Sequence, residues 1–169
     1  MEKEAWIELS NDESSKVWSM VYDRLLFRSK RKDFNLVFRE PSPSITYSVK
    51  GIWGDSFEAL DADLEEKAQR IFKDVTPSED FLYALEIQHP SYRYFPHRVR
   101  LPGDCDIWEI APLPYGDFCM FLEPSLRFGW LGHPWAATIC VFGQPLLAAM
   151  KRHRPRGFRN PIRQKEEWI

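Results

Sequence analysis

The amino-acid sequence predicts an α+β fold: two amphipathic helices packed on one mainly antiparallel sheet of about five strands, then a short C-terminal helix and a basic tail. Two long stretches with apolar residues at helical spacing fall within the first 75 residues. Short apolar or alternating runs dominate the chain after them. Eight of the 13 prolines lie between residues 90 and 145, which favours short strands and rigid turns over long helices. We expect the helices to cover one face of the sheet.

The two long helices are predicted from end signals and apolar stripes. Ser10 and Glu13 form a capping box, in which the Ser10 side chain accepts from the backbone N–H of Glu13 and the Glu13 side chain reaches back. A helix is therefore expected over residues 11–26. A second helix is expected over residues 55–73, where an acidic solvated face lies opposite an apolar stripe. The stripe consists of Leu60, Leu64, Ala68 and Ile71 or Phe72.

Short strands are predicted from alternation and from proline-free apolar runs. They are expected over residues 45–50, 81–87, 106–110 and 118–122, with a hairpin formed by residues 126–130 and 137–142. Pro145 suits a first helical position and predicts a short helix over residues 145–153. At 169 residues the chain is expected to form a single domain over residues 1–150. A basic tail over residues 151–169 follows, irregular from residue 154.

The bulk composition is that of an ordinary globular protein in a reducing compartment. Hydrophobic residues make up 44% and charged residues 28% of the chain, which argues against global disorder. The net charge is −2; residues 1–90 contain 12 Lys/Arg and 18 Asp/Glu, whereas residues 91–169 contain 11 and 7. The two parts can therefore complement each other in one fold. Three cysteines without C-x-x-C spacing, and no signal peptide or membrane span, predict a cytoplasmic protein with reduced thiols.

The candidate functional residues cluster in two His-Pro segments that are rich in aromatic residues. The first covers residues 88–97 and the second covers residues 128–135. A ligand pocket here would use an arginine as a bidentate anion donor, imidazoles as donors or acceptors, and aromatic rings as a stacking floor. The candidate ligand-binding residues are Gln88, His89, Tyr92, Arg93, His133 and Trp135.

The same segments also have a purely structural interpretation. Proline restricts the residue before it, so His89 and His133 are expected in extended backbone. Their imidazoles would then cap backbone groups where strands end, inside a polar-edged aromatic layer. Ordered histidines of this kind outnumber catalytic ones. The sequence favours this interpretation and keeps a binding site as the alternative.

No established catalytic or metal motif is present in the sequence. The side chains available as metal ligands are those of His89, His97, His133, Asp104, Asp106 and Asp117. The histidines lack a known metal-ligand spacing, so no metal and no cofactor are predicted. No G-x-S-x-G elbow or phosphate-binding loop occurs. Cys119 and Cys140 lie inside apolar runs, where a thiol is usually inert. An enzyme would have to use His89 or His133 as a general acid–base beside a carboxylate.

Four segments carry a family resemblance: QHPSY at residues 88–92, FG at 128–129, GHPW at 132–135 and TICVFG at 138–143. They are similar to the signatures of a family of small bacterial proteins catalogued only as a domain of unknown function. The resemblance extends to about residue 147 and implies a compact, single-domain, cytoplasmic protein with no assigned reaction. Ile87 replaces an expected aromatic residue, and Ala136-Ala137 replace expected polar residues, which counts against a catalytic site.

The expected function is therefore that of a non-catalytic domain, which binds a small ligand or a protein partner through the His-Pro segments. Exposed aromatic residues could equally mark a homodimer interface. A third role is contact between a polyanion and the seven cations within residues 151–165. Glu166, Glu167 and the net charge disfavour a nucleic-acid partner. No membrane partner is expected.

Overall fold

A computed structural model describes residues 3–27, 38–99 and 108–166. One antiparallel sheet has the order β1-β4-β3-β5-β6-β7-β2-β8. The strands are β1 Trp6–Glu8, β2 Ser44–Ser48, β3 Leu82–Leu85, β4 Tyr92–Tyr94, β5 Cys119–Leu122, β6 Gly129–His133, β7 Thr138–Phe142 and β8 Pro161–Lys165. The α-helices are α1 Asn11–Arg24, α2 Phe57–Val75 and α3 Gln144–His153. Within these described ranges, no helix combines the length and apolar character needed to cross a bilayer.

The sheet is buried between two helical layers. In the central strands β5 to β7, successive side chains point to opposite faces. Phe121 and Trp130 belong to one cluster of buried residues, which includes the apolar stripe of α2 and part of α3. Met120 and Leu131 belong to a second cluster, which includes the buried face of α1. The helix α1 therefore covers one face of the sheet, and α2 and α3 cover the other.

The number of strands and the placement of the helices differ from the prediction. The sheet has eight strands rather than about five, and the two predicted helices pack on it from opposite faces. Strands β1 and β4 have three residues each, too few to show an alternation. The edge strand β8 has mostly exposed polar side chains, so its sequence lacks an apolar face. Of the strand predicted over 106–110, residues 106 and 107 lie outside the described residues, and 108–110 form no strand.

The predicted helices and central strands are confirmed to within a few residues. The Oγ of Ser10 accepts from the backbone N–H of Glu13 at 3.2 Å and caps α1. The reciprocal half of the capping box does not form, because the Glu13 carboxylate binds Arg93 instead. The predicted hairpin is β6–β7, and His133 pairs with Thr138 as the last pair of the ladder before the turn.

The basic C-terminal segment is docked on acidic residues from the first half of the chain. Arg156 donates from its backbone N–H to Asp63 of α2 at 2.7 Å, and its guanidinium lies 3.4 Å from the same carboxylate. Arg163 of β8 pairs with Glu40 at 2.6 Å. The strand β8, paired with β2, replaces the irregular structure predicted for this part of the tail. The domain boundary at residue 150 stays a prediction.

Both cysteines in the described strands are buried, which supports the expectation of inert thiols. Cys119 and Cys140 each expose only 1% of their surface. Burial, with the nearby charge of Glu40, raises the pKa of Cys140 to about 12. Burial also raises the pKa of Cys119, and the charge of Glu86 adds to this effect. Such thiols carry almost no thiolate at neutral pH.

We expect neither of these thiols to react with Ellman's reagent in the folded protein at neutral pH. The measurement uses a Cys105→Ser variant, because Cys105 lies outside the described residues. Burial blocks access of the reagent and keeps both thiols protonated. Both should therefore react only after denaturation. Rapid reaction of either thiol in the native protein would contradict this prediction.

Asp63 binds two cations at once. It accepts from Lys67 at 2.8 Å as well as from Arg156. Burial alone would raise the pKa of Asp63, but the hydrogen bonds and the positive charges of Lys67 and Arg156 outweigh it and hold the pKa below its ordinary value. The carboxylate therefore stabilises the fold above its ordinary pKa of about 3.9. That contribution is lost as the pH falls through the lower folded value.

We expect Asp63→Asn to lower the free energy of unfolding by about 1 kcal/mol at pH 7, because it weakens charge-assisted hydrogen bonds to partly exposed cations. The difference from wild type should shrink below about pH 4. Urea denaturation at pH 7 and below about pH 4 measures this difference in the free energy of unfolding. Glu66→Gln is the matched control, since Glu66 pairs with Arg70 at an exposed position of the same helix; its expected effect is below about 0.5 kcal/mol. A loss for Asp63→Asn that does not change with pH would contradict the prediction.

Candidate functional site

Both His-Pro motifs lie at the same end of the sheet. His89 follows the end of β3, and His133 is the last residue of β6. Both strands pair with β5 and run antiparallel to it, so the start of β5 lies between the two motifs. Asp117 and Phe118 immediately precede that start. The expectation that both motifs lie at strand ends is confirmed.

Glu86, His89 and Asp117 converge at this end of the sheet. The Nδ1 atom of His89 is hydrogen-bonded to Oε2 of Glu86. One nitrogen or oxygen atom from each of the three side chains lies within 4.8 Å of the others. The imidazole is 63% exposed, whereas the Glu86 side chain is only 15% exposed and Asp117 is buried. An exposed imidazole thus stands in front of two largely buried carboxylates.

The Asp117 carboxylate is held in place by the backbone. Its Oδ2 accepts from the N–H of Gln88 at 2.8 Å, and its Oδ1 accepts from the N–H of Phe118 at 2.7 Å. These bonds join the loop after β3 to the first residues of β5. The backbone of Gln88 therefore positions the site, while its side chain is exposed.

Within the described part of the chain, no basic side chain neutralises the pair of carboxylates. Among the residues that the structure describes, no lysine or arginine lies within ion-pair distance of Glu86 or Asp117. Burial raises the pKa of Glu86; the hydrogen bond and charge of His89 oppose this shift, and the negative charge of Asp117 adds to it. The site therefore presents concentrated negative charge.

His133 faces the core rather than the solvent. It is buried, its Nδ1 accepts from the backbone N–H of Ala136 at 3.1 Å, and its ring centroid lies 4.8 Å from that of Phe118. This is the architectural role that the structural interpretation predicts. Trp135 is 37% exposed and meets Phe118 edge-on, with centroids 5.3 Å apart. Trp135 thus contacts Phe118, the residue that follows Asp117 in the sequence.

Arg93 and Tyr92 lie on β4, and both have partners within the protein. The Arg93 guanidinium forms a bidentate pair with Glu13 of α1, with Nε–Oε1 and Nη2–Oε2 distances of 2.8 Å. The pair attaches the start of α1 to the sheet, so the expected anion-binding charge of Arg93 is already matched. Tyr92 packs edge-on against Trp6 at 5.9 Å. Burial raises the pKa of Tyr92, and nearby acidic residues, Glu86 among them, add to the shift.

Sequence reasoning missed Glu86, and it considered Asp117 only as one available metal ligand among several. Glu86 precedes His89 by three residues, a spacing that could have drawn attention to it. Asp117 has no such local signal, because only the pairing of β3 with β5 brings it close. His97, considered as a metal ligand, instead caps α2: its Nε2 lies 2.6 Å from the carbonyl oxygen of Thr76. Of the other acidic residues near the motifs, those at 104 and 106 lie outside the described residues.

A cavity of about 170 Å³ lies at the opposite end of the sheet, where β3 begins and β5 ends. None of the candidate ligand-binding residues lines it. Asp80 and Glu123 are the acidic residues of its lining. Glu123 accepts from the backbone N–H groups of Ser125 and Arg127, both at 2.9 Å, and so holds the turn after β5. The lining includes Val75, Thr76, Phe81, Leu82, Glu123, Arg127 and Phe128.

Comparison with known proteins confirms the family resemblance. A family model described as a protein of unknown function (DUF2716) matches residues 8–147, a range that contains both His-Pro motifs. The chain is 30% identical over 159 residues to the uncharacterized protein YxiI of Bacillus subtilis (strain 168), covering 92% of this chain and 98% of that relative. No solved structure matches the chain. The chain therefore belongs to the DUF2716 family of proteins of unknown function.

Proposed function

We propose that this protein is a non-catalytic binding domain that recognises a cationic group of a small ligand or protein partner. The binding surface, which we name the His-Pro surface, consists of Glu86, Gln88, His89, Asp117 and Trp135. The observation that carries the proposal is the pair of largely buried carboxylates, which lacks a lysine or arginine partner among the described residues. The other candidate residues, Tyr92, Arg93 and His133, contact Trp6, Glu13 and Ala136 respectively and are not part of this surface.

A cation at this surface would relieve an unfavourable arrangement of charge. Carboxylates in a poorly solvated position cost free energy unless an opposite charge or several donors compensate them. Asp117 has two backbone donors, whereas Glu86 has only the imidazole of His89. The partly exposed ring of Trp135 can add an attraction to a cation over its face. These features favour a ligand that combines positive charge with an apolar body.

Three observations support binding rather than catalysis. The thiols of Cys119 and Cys140 are buried, with raised pKa values. Ser91, next to the first motif, is also buried, and its Oγ accepts from Trp18. His133 is directed into the core. No activated nucleophile thus accompanies the exposed imidazole within residues 3–27, 38–99 and 108–166.

One observation favours an enzyme as the second candidate. His89 is exposed and hydrogen-bonded to Glu86, the arrangement required for a general acid–base. The two candidates differ in the fate of the ligand. A binding domain returns the ligand chemically unchanged, whereas an acid–base enzyme converts it, and mass spectrometry of the recovered ligand separates the two outcomes.

The proposal places the protein in the cytoplasm and gives it no nucleic-acid partner. Two buried free thiols fit a reducing compartment. Three of the seven cations of the C-terminal segment have acidic partners within the chain: Arg152 at Asp74, Arg156 at Asp63, and Arg163 at Glu40. His153 also contacts Asp74. A polyanion would have to compete with these carboxylates. A homodimer formed through exposed aromatic residues stays a prediction.

We expect agmatine and tetramethylammonium, a guanidinium probe and a quaternary ammonium probe, to bind the wild-type protein in isothermal titration calorimetry. Glu86→Gln and Trp135→Ala should each weaken binding by about fivefold, equivalent to about 1 kcal/mol, because they remove a charge and a ring face at one surface. Glu86→Gln should not lower the stability of the free protein, because burial already disfavours the charged carboxylate.

Trp53→Ala is the matched control for this experiment. Trp53 is 46% exposed, similar to Trp135, but lies on the 3-10 turn before α2 and outside the His-Pro surface. This variant should bind both probes as the wild type does. The proposal is overturned if neither probe binds the wild type at millimolar concentrations, or if Trp53→Ala weakens binding as much as Trp135→Ala does.

A further inference from the structure

We infer that Glu86, His89 and Asp117 form an open three-ligand site for a divalent transition-metal ion. The inference rests on the proposed cation-binding role of the same surface and names a specific class of cation. One imidazole nitrogen and two carboxylate oxygens lie within 4.8 Å of one another. This convergence joins residues from the loop after β3 with a residue that precedes β5.

The composition of the ligand set selects the type of metal. Imidazole nitrogen suits zinc, iron, cobalt and other first-row transition ions, whereas calcium and magnesium prefer all-oxygen shells. Carboxylate oxygens complete a mixed nitrogen–oxygen set that resembles catalytic zinc sites in having three protein ligands. The site should therefore discriminate against magnesium and calcium, although both carry the same charge.

The spacing of the three side chains requires only a small adjustment around an ion. Ligands about 2.1 Å from a metal lie roughly 3–3.5 Å from each other, so a separation of up to 4.8 Å must close by at most about 1.3–1.8 Å. His89 is exposed and can rotate without disturbing the core. Glu86 already contacts the imidazole. Asp117 can stay where it is.

The backbone bonds to Asp117 supply the outer shell that metal sites usually have. Each oxygen of the carboxylate accepts one N–H, from Gln88 or from Phe118, and each still has a lone pair for a metal. Hydrogen bonds of this kind orient ligating carboxylates. Because the two donors come from different parts of the sheet, Asp117 is fixed before any ion arrives.

A second imidazole–carboxylate pair in the protein shows what distinguishes this site. His153 lies 2.8 Å from Asp74, but Arg152 lies 3.2 Å from the same carboxylate and neutralises it. No second acidic side chain of the described residues joins that pair into a ligand set. The Glu86 site has the second carboxylate, and no arginine of the described ranges pairs with it. Its charge is therefore the one that a divalent ion would balance.

The experiment measures metal binding to protein freed of metal by a chelator. A Cys105→Ser background removes the thiol that lies outside the described residues. We expect one equivalent of Zn²⁺ to bind in calorimetry, with Mg²⁺ and Ca²⁺ showing no binding at the same concentration. Co²⁺ should bind at the same site and develop visible absorption bands that report its ligand geometry.

Two variants assign the metal to the site. His89→Ala and Glu86→Gln should each weaken Zn²⁺ binding by at least about tenfold, since even outer-shell changes cost 10–100-fold. His89 is exposed, whereas Glu86 is largely buried, so circular dichroism checks that each variant is folded. His153→Ala is the matched control, because it removes an imidazole that also contacts a carboxylate; it should leave Zn²⁺ affinity unchanged.

The outcomes separate this inference from the proposed function. If Zn²⁺ fails to bind the wild type at millimolar concentrations, or binds His89→Ala as tightly as the wild type, the metal site is disproved. If the organic cations still bind in a Trp135-dependent manner, the proposed function survives that failure. If Zn²⁺ binds as expected while both organic probes fail, the metal site stands and recognition of organic cations is wrong.

Discussion

Burial of both faces of β5, β6 and β7 is the constraint on which the rest of the structure depends. Every residue of these three strands is buried, so their sequences must be nearly continuous apolar runs. The one indole N–H inside them, on Trp130, donates to the carbonyl oxygen of Pro112 at 2.9 Å. The strands also approach closely: a Cβ at Gly132 would lie 2.3 Å from Sγ of Cys119. Polar chemistry is therefore excluded from the middle of the sheet and collects where strands end.

The two ends of the sheet use their carboxylates differently. Glu123 at one end holds a tight turn through two backbone N–H groups and has Arg127 beside it. Asp117 at the other end also accepts two backbone N–H groups, but its neighbour is a second carboxylate, Glu86. In the first arrangement, the two N–H groups and the Arg127 guanidinium compensate the Glu123 carboxylate. Among the described residues the second arrangement has no lysine or arginine partner, and this difference is why we propose the His-Pro surface for binding.

The charge asymmetry along the sequence is resolved within the fold. Cations from the second half pair with carboxylates from the first half, among them Arg93 with Glu13 and Arg163 with Glu40. The first pair fixes α1 to one edge region of the sheet, and the second fixes β8 to the other. These contacts explain how an acidic first half and a basic second half combine into a chain with a net charge of only −2.

The sequence by itself determined the two long helices, their buried stripes, the central strands and the inert thiols. Each of these features follows from the spacing of apolar residues within one short segment. A helix or strand that buries one face repeats apolar residues at its own period, and a strand buried on both faces forms a continuous apolar run. It also determined that His89 and His133 lie at strand ends, since proline limits the backbone beside them. Tertiary structure alone decided that His133 faces the core while His89 faces outward. It also decided that α1 lies opposite α2 and that Asp117 meets Glu86, because strand order is a property of packing between segments distant in sequence.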